Sequence, residues 1–329
     1  MTSNVASLPL LSVIVPFYNE LEVLPVCRRR LDEVLTLVDM RSEVIFVDDG
    51  SQDGGADYLL THPLENANTR VVRLSRNFGK EAAMSAGLDH ARGDAVIILD
   101  ADLQDPPELI PAMIARWREG YDVVLMKRRC RAGESAMKRF SAHVFYRLLQ
   151  RISRFPIPED VGDFRLMSRK CVNALNRLGE SNRYMKGLFA WVGMPTSVML
   201  YDRDPRAAGV SKWNYLALIR LALDGITSFT TAPLRLSMLA GLLAAGFGVL
   251  FGLWIVAKAM LFGDPTQGYP SLVALISFLG GIQLMGLGIV GEYVGKTYIE
   301  SKRRPVYVVD VQAESMSVEL LSHDCSQHG

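Results

Sequence analysis

How this chain folds is decided by one stretch, Val96-Ile97-Ile98-Leu99-Asp100-Ala101-Asp102-Leu103-Gln104-Asp105-Pro106-Pro107. Its four apolar residues predict a buried strand, and two carboxylates follow at alternate positions. Alternate side chains of an extended chain lie on the same side, so Asp100, Asp102 and Gln104 can converge on one cation. Mg²⁺ and Mn²⁺ prefer such oxygen ligands and leave positions open for phosphate oxygens. A solvated acidic turn is the alternative, but open α/β sheets bind ligands at the carboxyl ends of their strands, which favours a metal site.

Strand-like and helix-like segments alternate along the first half of the chain. Short apolar strands are predicted at 12–16, 43–47, 69–74, 95–99 and 121–126. Helical periodicity between these strands indicates right-handed crossovers, and therefore an α/β domain with a mostly parallel sheet. Polar clusters follow the strands, so we expect them to share one rim of the sheet.

The net charge of the chain argues against a nucleic-acid-binding function. The chain has 329 residues and a formal net charge of +1 at pH 7, so no nucleic-acid partner is expected. The four cysteines have no metal-binding spacing, which is typical of reduced thiols in a cytosolic domain. The N-terminus has no basic segment followed by an apolar run, so we expect no signal peptide.

Two long stretches have no Asp, Glu, Lys or Arg; they lie between Arg235 and Lys258 and between Asp264 and Glu292. Each exceeds the roughly 20 apolar residues that a membrane-spanning helix needs. A pair of buried core helices is the alternative, although soluble helices rarely run so long without a charge. Basic residues flank the pair, whereas the loop at 264–270 has no Lys or Arg. The positive-inside rule therefore predicts a multi-pass membrane protein with both termini in the cytoplasm.

The sequence thus divides into a cytoplasmic α/β domain at 1–230, a two-helix transmembrane hairpin at 231–300 and a cytoplasmic tail at 301–329. Polar, aperiodic composition predicts that the tail is disordered from about Gln312.

Amphipathic helices are predicted near 135–154 and 213–229, and both can lie at a membrane surface. For the first of them, a core helix with a solvated basic face is the alternative. The spacings Gly248 to Gly252 and Gly291 to Gly295 indicate close helix packing, in a tight hairpin or in a homo-oligomer such as a tetramer.

The first two predicted strands end in residues suited to a nucleotide. Pro16, Tyr18 and Glu20 follow or end the first strand, and Asp48 ends the second. A carboxylate there can accept a hydrogen bond from a base or a ribose hydroxyl, and the others can flank the base. Plain loop structure with helix capping is the alternative.

Two further groups of residues are candidates for phosphate chemistry. Asp163 lies in a largely apolar run with Arg165, and it is either a base or orienting group beside an acceptor or one half of a buried ion pair. Arg206 and Lys212 flank a Gly-Ser turn, and together with Arg128 they can neutralise a diphosphate and a lipid phosphate. Attraction to anionic lipid headgroups alone is the alternative for these cations.

Taken together, the chain resembles the family 2 glycosyltransferases with a GT-A fold, in the polyprenyl-phosphate branch. The resemblance covers roughly residues 11–305 and is closest to the bacterial bactoprenol glucosyltransferases of O-antigen modification in lipopolysaccharide; dolichyl-phosphate mannose synthases are more distant. The segments that carry it are VIVPFYNE at 13–20, VDDGSQD at 47–53, SRNFGKEAA at 75–83, DADLQDPPE at 100–108, GDFRLMSRK at 162–170 and RDPRAAGVSKW at 203–213.

The resemblance implies a role for each matching residue. Nucleoside contacts are implied for Pro16, Tyr18, Glu20 and Asp48, and Mg²⁺ or Mn²⁺ ligation for Asp100, Asp102 and Gln104. Phosphate contacts are implied for Arg128, Arg206 and Lys212, and Asp163 matches the position of the proposed base. Asp163, Asp102 and Arg206 are therefore the predicted catalytic residues.

The implied reaction is inverting, metal-dependent transfer of one hexose from a nucleotide sugar, UDP-glucose being the first choice, to undecaprenyl phosphate. The implied location is the inner membrane of a bacterium, with the catalytic domain in the cytoplasm. Two alternatives stay open at this point: a processive polysaccharide synthase, and a non-catalytic membrane scaffold with a degenerate transferase domain. The QxxRW motif of processive synthases is absent from the chain.

Overall fold

A computed structural model of the chain describes residues 8–129, 161–180, 183, 185–202, 232–262 and 268–315. The predicted surface helices near 135–154 and 213–229, and the predicted phosphate ligands Arg206 and Lys212, lie outside the described residues.

The described residues form one eight-stranded sheet in the order β7-β5-β6-β4-β1-β2-β3-β8. The strands are β1 Leu10–Phe17, β2 Arg41–Asp48, β3 Asn68–Leu74, β4 Ala95–Ile98, β5 Val123–Arg128, β6 Val161–Ser168, β7 Thr196–Tyr201 and β8 Val309–Ser315. Four strand pairs are parallel and three are antiparallel, the antiparallel ones involving β6 and β8. The predicted mostly parallel α/β sheet is therefore confirmed.

The described residues form eight α-helices, the first six of which connect and cover the strands. They are α1 Leu24–Leu35, α2 Gly55–Thr61, α3 Lys80–His90, α4 Ile110–Arg118, α5 Arg169–Asn176, α6 Met185–Val192, α7 Ala232–Phe262 and α8 Tyr269–Ser301. Because both faces of the central strands are covered, these strands are continuous apolar runs, and Val13, Ile14 and Val15 are all fully buried. Helix α3 lies close against β1, since a Cβ on Gly87 would come within 2.2 Å of Ile14 Cγ2.

Helices α7 and α8 are the two long apolar stretches. Within them, 233–254 has a mean hydropathy of 2.1 and 278–301 of 1.3, and both are long enough to cross a bilayer. Large apolar side chains such as Leu253 and Phe278 are more than half exposed, which argues against the alternative of buried core helices. The two helices approach each other at Gly286, where a Cβ would lie 3.0 Å from Ser237 Oγ.

The C-terminal segment corrects one expectation. The tail was expected to be disordered from about Gln312, but 309–315 form strand β8, antiparallel to β3, while 316–329 lie outside the described residues. Backbone hydrogen bonding to an open strand edge does not depend on apolar composition, and the hydropathy pattern therefore could not reveal it. Tyr307 donates a hydrogen bond to Asp89 at 2.8 Å, and Glu314 lies 3.1 Å from the buried guanidinium of Arg70. The α/β domain therefore includes residues from beyond the two long helices.

Candidate active site at the carboxyl rim of the sheet

The loops after β1 and β2 are tied to each other. Asn19, with a left-handed φ of 52°, receives a hydrogen bond from Gln52 N–H on its side chain and donates its own N–H to Ser51 Oγ, each at 2.9 Å. Asp53 accepts the N–H of Leu21 at 2.8 Å. These bonds fix the part of the rim that carries the residues predicted to contact the nucleoside.

Asp49 joins the loop after β2 to the loop after β3. Its two carboxylate oxygens accept the N–H groups of Phe78 and Gly79 at 2.7 and 2.9 Å. Burial raises the pKa of Asp49, and these two hydrogen bonds offset part of that rise. Gly50 has a φ of 73° and lies against the same loop, where a Cβ would be 2.5 Å from the carbonyl carbon of Arg76. Asp49 therefore positions the chain that leads into α3.

A cavity of about 330 Å³ opens between these loops. Its lining residues are Tyr18, Gly50, Ser51, Gln52, Arg73, Leu74, Ser75, Arg76, Asn77 and Asp310. The aromatic ring, the two guanidinium groups and the backbone of a glycine loop suit a base, a ribose and phosphates. Tyr18 thus lies on this cavity, and its contact with a nucleoside stays a prediction.

Asp310 is a lining residue that sequence reasoning missed. In the β3–β8 ladder Arg73 pairs with Val311 and Leu74 with Val309, so Asp310 is the extra residue of a β-bulge. A bulge changes the direction of a side chain, and this one turns an exposed carboxylate toward the cavity.

The other residues that were predicted to contact the nucleoside do not line this cavity. Asp48 is fully buried, accepts Ser51 N–H at 2.8 Å and lies 3.2 Å from Arg73 Nε. Its carboxylate therefore lies behind a lining arginine. Pro16 is buried in β1, and neither it nor Glu20 is among the described residues that line the cavity. Direct contacts of these three with a nucleoside stay a prediction.

Asp100 and Asp163 come together through the antiparallel pairing of β4 with β6. Ile98 pairs with Arg165, and the same register continued two residues beyond β4 sets Asp100 opposite Asp163. Lys80 Nζ lies 2.7 and 2.8 Å from the two oxygens of Asp100 and 2.7 Å from Asp163 Oδ2. Two carboxylates, one from the loop after β4 and one from β6, thus contact the same ammonium group.

Lys80 was not among the predicted site residues, although it lies in the SRNFGKEAA segment. It is the first residue of α3 and follows Gly79, whose φ of 99° turns the chain into the helix. Burial favours its neutral form, but Asp100 and Asp163 outweigh burial and hold the pKa of Lys80 above its ordinary value. Lys80 is therefore a cation within the predicted metal site.

Asp102 and Gln104 follow in a turn rather than an extended chain. Leu103 has a left-handed φ of 56°, and Asp102 Oδ1 accepts Gln104 N–H at 3.2 Å. In the part of the chain that the structure describes, no three His, Cys, Asp or Glu side chains are close enough together to hold a metal ion. The donors Asp100, Asp102 and Gln104 are nevertheless all oxygen atoms, and Asp100 and Asp163 already converge on a cation. The chemistry of these oxygen donors therefore fits Mg²⁺ or Mn²⁺, whereas the extended chain that was predicted to make them converge is replaced by a turn.

Arg128 ends β5 beside this cluster. Although burial alone lowers its pKa, a hydrogen bond to Tyr201 and the nearby carboxylates of Asp105 and Asp100 raise the pKa of Arg128 above its ordinary value. Tyr201 in turn donates a short hydrogen bond to the buried Asp105. The predicted phosphate ligand is thus held within reach of Asp100 by residues on β7 and the loop after β4.

Arg165 lies behind Asp163 on β6. Its guanidinium donates to the carbonyl of Gly162 at 2.7 Å and lies 3.8 Å from the centre of the Phe189 ring. Burial lowers the pKa of Arg165 to about 10. These contacts stabilise the strand that presents Asp163 to Lys80.

Comparison with known proteins identifies the family. The family model described as "Glycosyl transferase family 2" matches residues 12–175, which include Asp100 and Asp163. A bactoprenol glucosyl transferase of Shigella phage SfV is 48% identical over 301 residues, which cover 91% of this chain and 97% of that protein. The chain belongs to glycosyl transferase family 2.

Other relatives agree with this assignment. An uncharacterized glycosyltransferase of Synechocystis is 48% identical over 91% of this chain and 94% of its own length. The prophage bactoprenol glucosyl transferase homolog of Escherichia coli K12 is 46% identical over 91% of this chain and 98% of its own length. The predicted family 2 resemblance is confirmed, and the chain is a glycosyltransferase.

Proposed function

We propose that this family 2 glycosyltransferase moves one hexose, with inversion and with the help of a divalent metal, from UDP-glucose to undecaprenyl phosphate. The observation that carries the proposal is the meeting of Asp100 and Asp163 on Lys80 at the carboxyl rim, beside a nucleoside-sized cavity. A diphosphate that leaves the cavity toward this cluster would bring the anomeric carbon between the two carboxylates.

The donor nucleoside would occupy the cavity between the loops after β1, β2 and β3. A volume of about 330 Å³ lies within the range of small-molecule sites. Tyr18 would stack on the base, and Arg73 and Arg76 would lie beside the ribose and phosphates.

Asp100, Asp102 and Gln104 would hold Mg²⁺ or Mn²⁺. The metal would neutralise negative charge on the departing diphosphate. Arg128, already close to Asp100, would add a second positive charge there, and Arg206 and Lys212 are proposed to bind the same phosphates or that of the acceptor.

Asp163 would orient the acceptor phosphate or act as its base. A phosphate monoester has a second pKa of about 6 and is mostly dianionic at neutral pH, so little proton transfer is needed. The main role proposed for Asp163 is therefore to orient the acceptor phosphate.

The helices α7 and α8 would place this rim at the membrane surface. An acceptor with a polyprenyl tail stays in the bilayer, so the enzyme must reach the headgroup level. The exposed apolar side chains of both helices support insertion. The basic residues that flank the two helices support a catalytic domain and termini on the cytoplasmic side. The names of the relatives, bactoprenol glucosyl transferases, support both the acceptor and the sugar.

The experiment is a donor screen. Detergent-solubilised enzyme with undecaprenyl phosphate would be incubated with UDP-glucose, UDP-galactose or GDP-mannose, and lipid products analysed by mass spectrometry. We expect one hexose per lipid, with UDP-glucose the best donor. Long sugar chains would instead identify a processive synthase, and the absence of any lipid-linked sugar from every donor would refute the proposal.

A further inference from the structure

We infer that Lys80 is a positioning residue that occupies the cation site before the metal binds and that competes with the metal for Asp100. The inference rests on the proposed function and adds a residue that the predicted ligand set does not contain. Its basis is the position of one ammonium group among the site's carboxylates.

The contacts of Lys80 match those of a small cation. Its Nζ is within 2.7–2.8 Å of both oxygens of Asp100 and within 2.7 Å of Asp163. These carboxylates come from different strands and would repel each other without a positive charge between them. Lys80 therefore preserves the site in the absence of metal.

The same contacts create a conflict with metal binding. A divalent cation held by Asp100 needs the oxygens that the ammonium already engages. The Lys80 side chain is 44% exposed, so water and ions can reach it and the group has room to move. When the metal takes Asp100, the lysine keeps its contact with Asp163 and offers its charge to an incoming phosphate.

Position on the chain supports this exchange. Lys80 begins α3, and the loop before it is held by Asp49 through the N–H groups of Phe78 and Gly79. The backbone of the lysine is thus fixed, whereas its four-carbon side chain is flexible. Because only the side chain moves, the ammonium of Lys80 can contact Asp100 when the metal is absent and a phosphate when the metal is bound.

The test measures Mn²⁺ binding in the absence of nucleotide, in the parent and in Lys80→Met. Binding is monitored through the loss of the EPR signal of free Mn²⁺. Removing a positive charge beside the site should tighten Mn²⁺ binding by about tenfold. Sugar transfer should nevertheless fall by about a hundredfold, because the acceptor phosphate loses its cation. The KM for UDP-glucose should stay nearly unchanged.

Three further variants separate charge from packing. Lys80→Gln keeps a hydrogen-bond donor without the charge and should also bind Mn²⁺ more tightly, even if the methionine variant folds poorly. Lys80→Arg keeps the charge and should bind Mn²⁺ as the parent does. Lys170, an exposed lysine 3.4 Å from Asp122, provides the matched control Lys170→Met, which should change neither quantity.

Unchanged or weaker Mn²⁺ binding in folded Lys80→Gln would overturn the inference, while metal-dependent transfer by the parent would leave the proposed function intact. Transfer by the parent in EDTA would instead overturn the metal assignment, and this inference with it. Tighter Mn²⁺ binding combined with slower transfer supports the inference, because a merely structural lysine would lower both.

Discussion

Asp100 and Asp163 lie opposite each other on the continued register of β4 and β6, and Lys80 joins their carboxylates. The two residues have different backbone environments, since Asp100 follows the end of its strand and Asp163 lies within β6. Asp163 is therefore held by a strand ladder on one side of the site, while Asp100 and Asp102 sit on a loop that can adjust to a metal.

Asp163→Asn should lower turnover by about a hundredfold or more, because the amide binds Lys80 without charge and no longer orients the acceptor phosphate. The KM for the donor should change little, since Asp163 is not among the residues that line the cavity proposed for the nucleoside. Steady-state kinetics across the pH range would measure both quantities. Asp202→Asn, at an exposed carboxylate 3.2 Å from Arg129, is the matched control. A variant as active as the parent at every pH would remove Asp163 from the mechanism.

Asp310→Ala should raise the KM for UDP-glucose several-fold, by up to about tenfold, and leave kcat nearly unchanged. The reason is that Asp310 lines the cavity proposed for the nucleoside but lies on β8, outside the cluster of Asp100, Asp163 and Lys80. Donor titrations at saturating acceptor would measure the change. Asp39→Ala removes another exposed carboxylate and should have no effect. A loss confined to kcat would contradict the position assigned to Asp310.

Arg70→Leu should destabilise the α/β domain by about 3–5 kcal/mol, because it leaves the buried Glu43 without its nearest cation. Glu314→Gln should cost less, about 1 kcal/mol, since that side chain is partly exposed and Arg70 keeps Glu43. Urea unfolding of the solubilised protein would give both values. Arg30→Leu, which breaks an exposed pair with Glu108, should stay below about 1 kcal/mol. Equal losses in the Arg70 and Arg30 variants would mean that the buried Arg70–Glu43 pair does not stabilise the domain.

Cys27 and Cys171 should resist alkylation in the folded protein at about pH 8, because burial raises the pKa of each thiol to about 12. In the unfolded chain these thiols have their ordinary pKa of about 9.0. Stability that depends on the neutral thiols is thus fully present below pH 9 and is lost as pH rises toward 12. Iodoacetamide labelling followed by mass spectrometry would test this. Rapid labelling of either thiol in the native state would show that it is accessible.

Local sequence pattern was sufficient for strands β1 to β5 and for the carboxyl rim that they form, but it predicted neither β6 nor β7. Apolar runs marked β1 to β5, and Tyr18 and Asp100 could be assigned to the rim because each follows such a run. Pattern was not sufficient where distant segments meet. The register of β6 against β4, which brings Asp163 to Asp100, is set by tertiary pairing, and so are the addition of β8 and the approach of Asp310 to the cavity. Lys80 was not predicted as a site residue because a lysine at the start of a helix is common. Only its contacts with Asp100 and Asp163 make it unusual.

The most direct test of the central claim is glucose transfer from UDP-glucose to undecaprenyl phosphate, measured with and without EDTA in the parent and in Asp102→Ala. We expect EDTA to abolish transfer, added Mg²⁺ or Mn²⁺ to restore it in the parent, and the variant to stay at least about a hundredfold slower with metal present while remaining folded. Undiminished transfer in EDTA, or a variant as fast as the parent, would contradict the claim that a metal held at this rim assists the reaction.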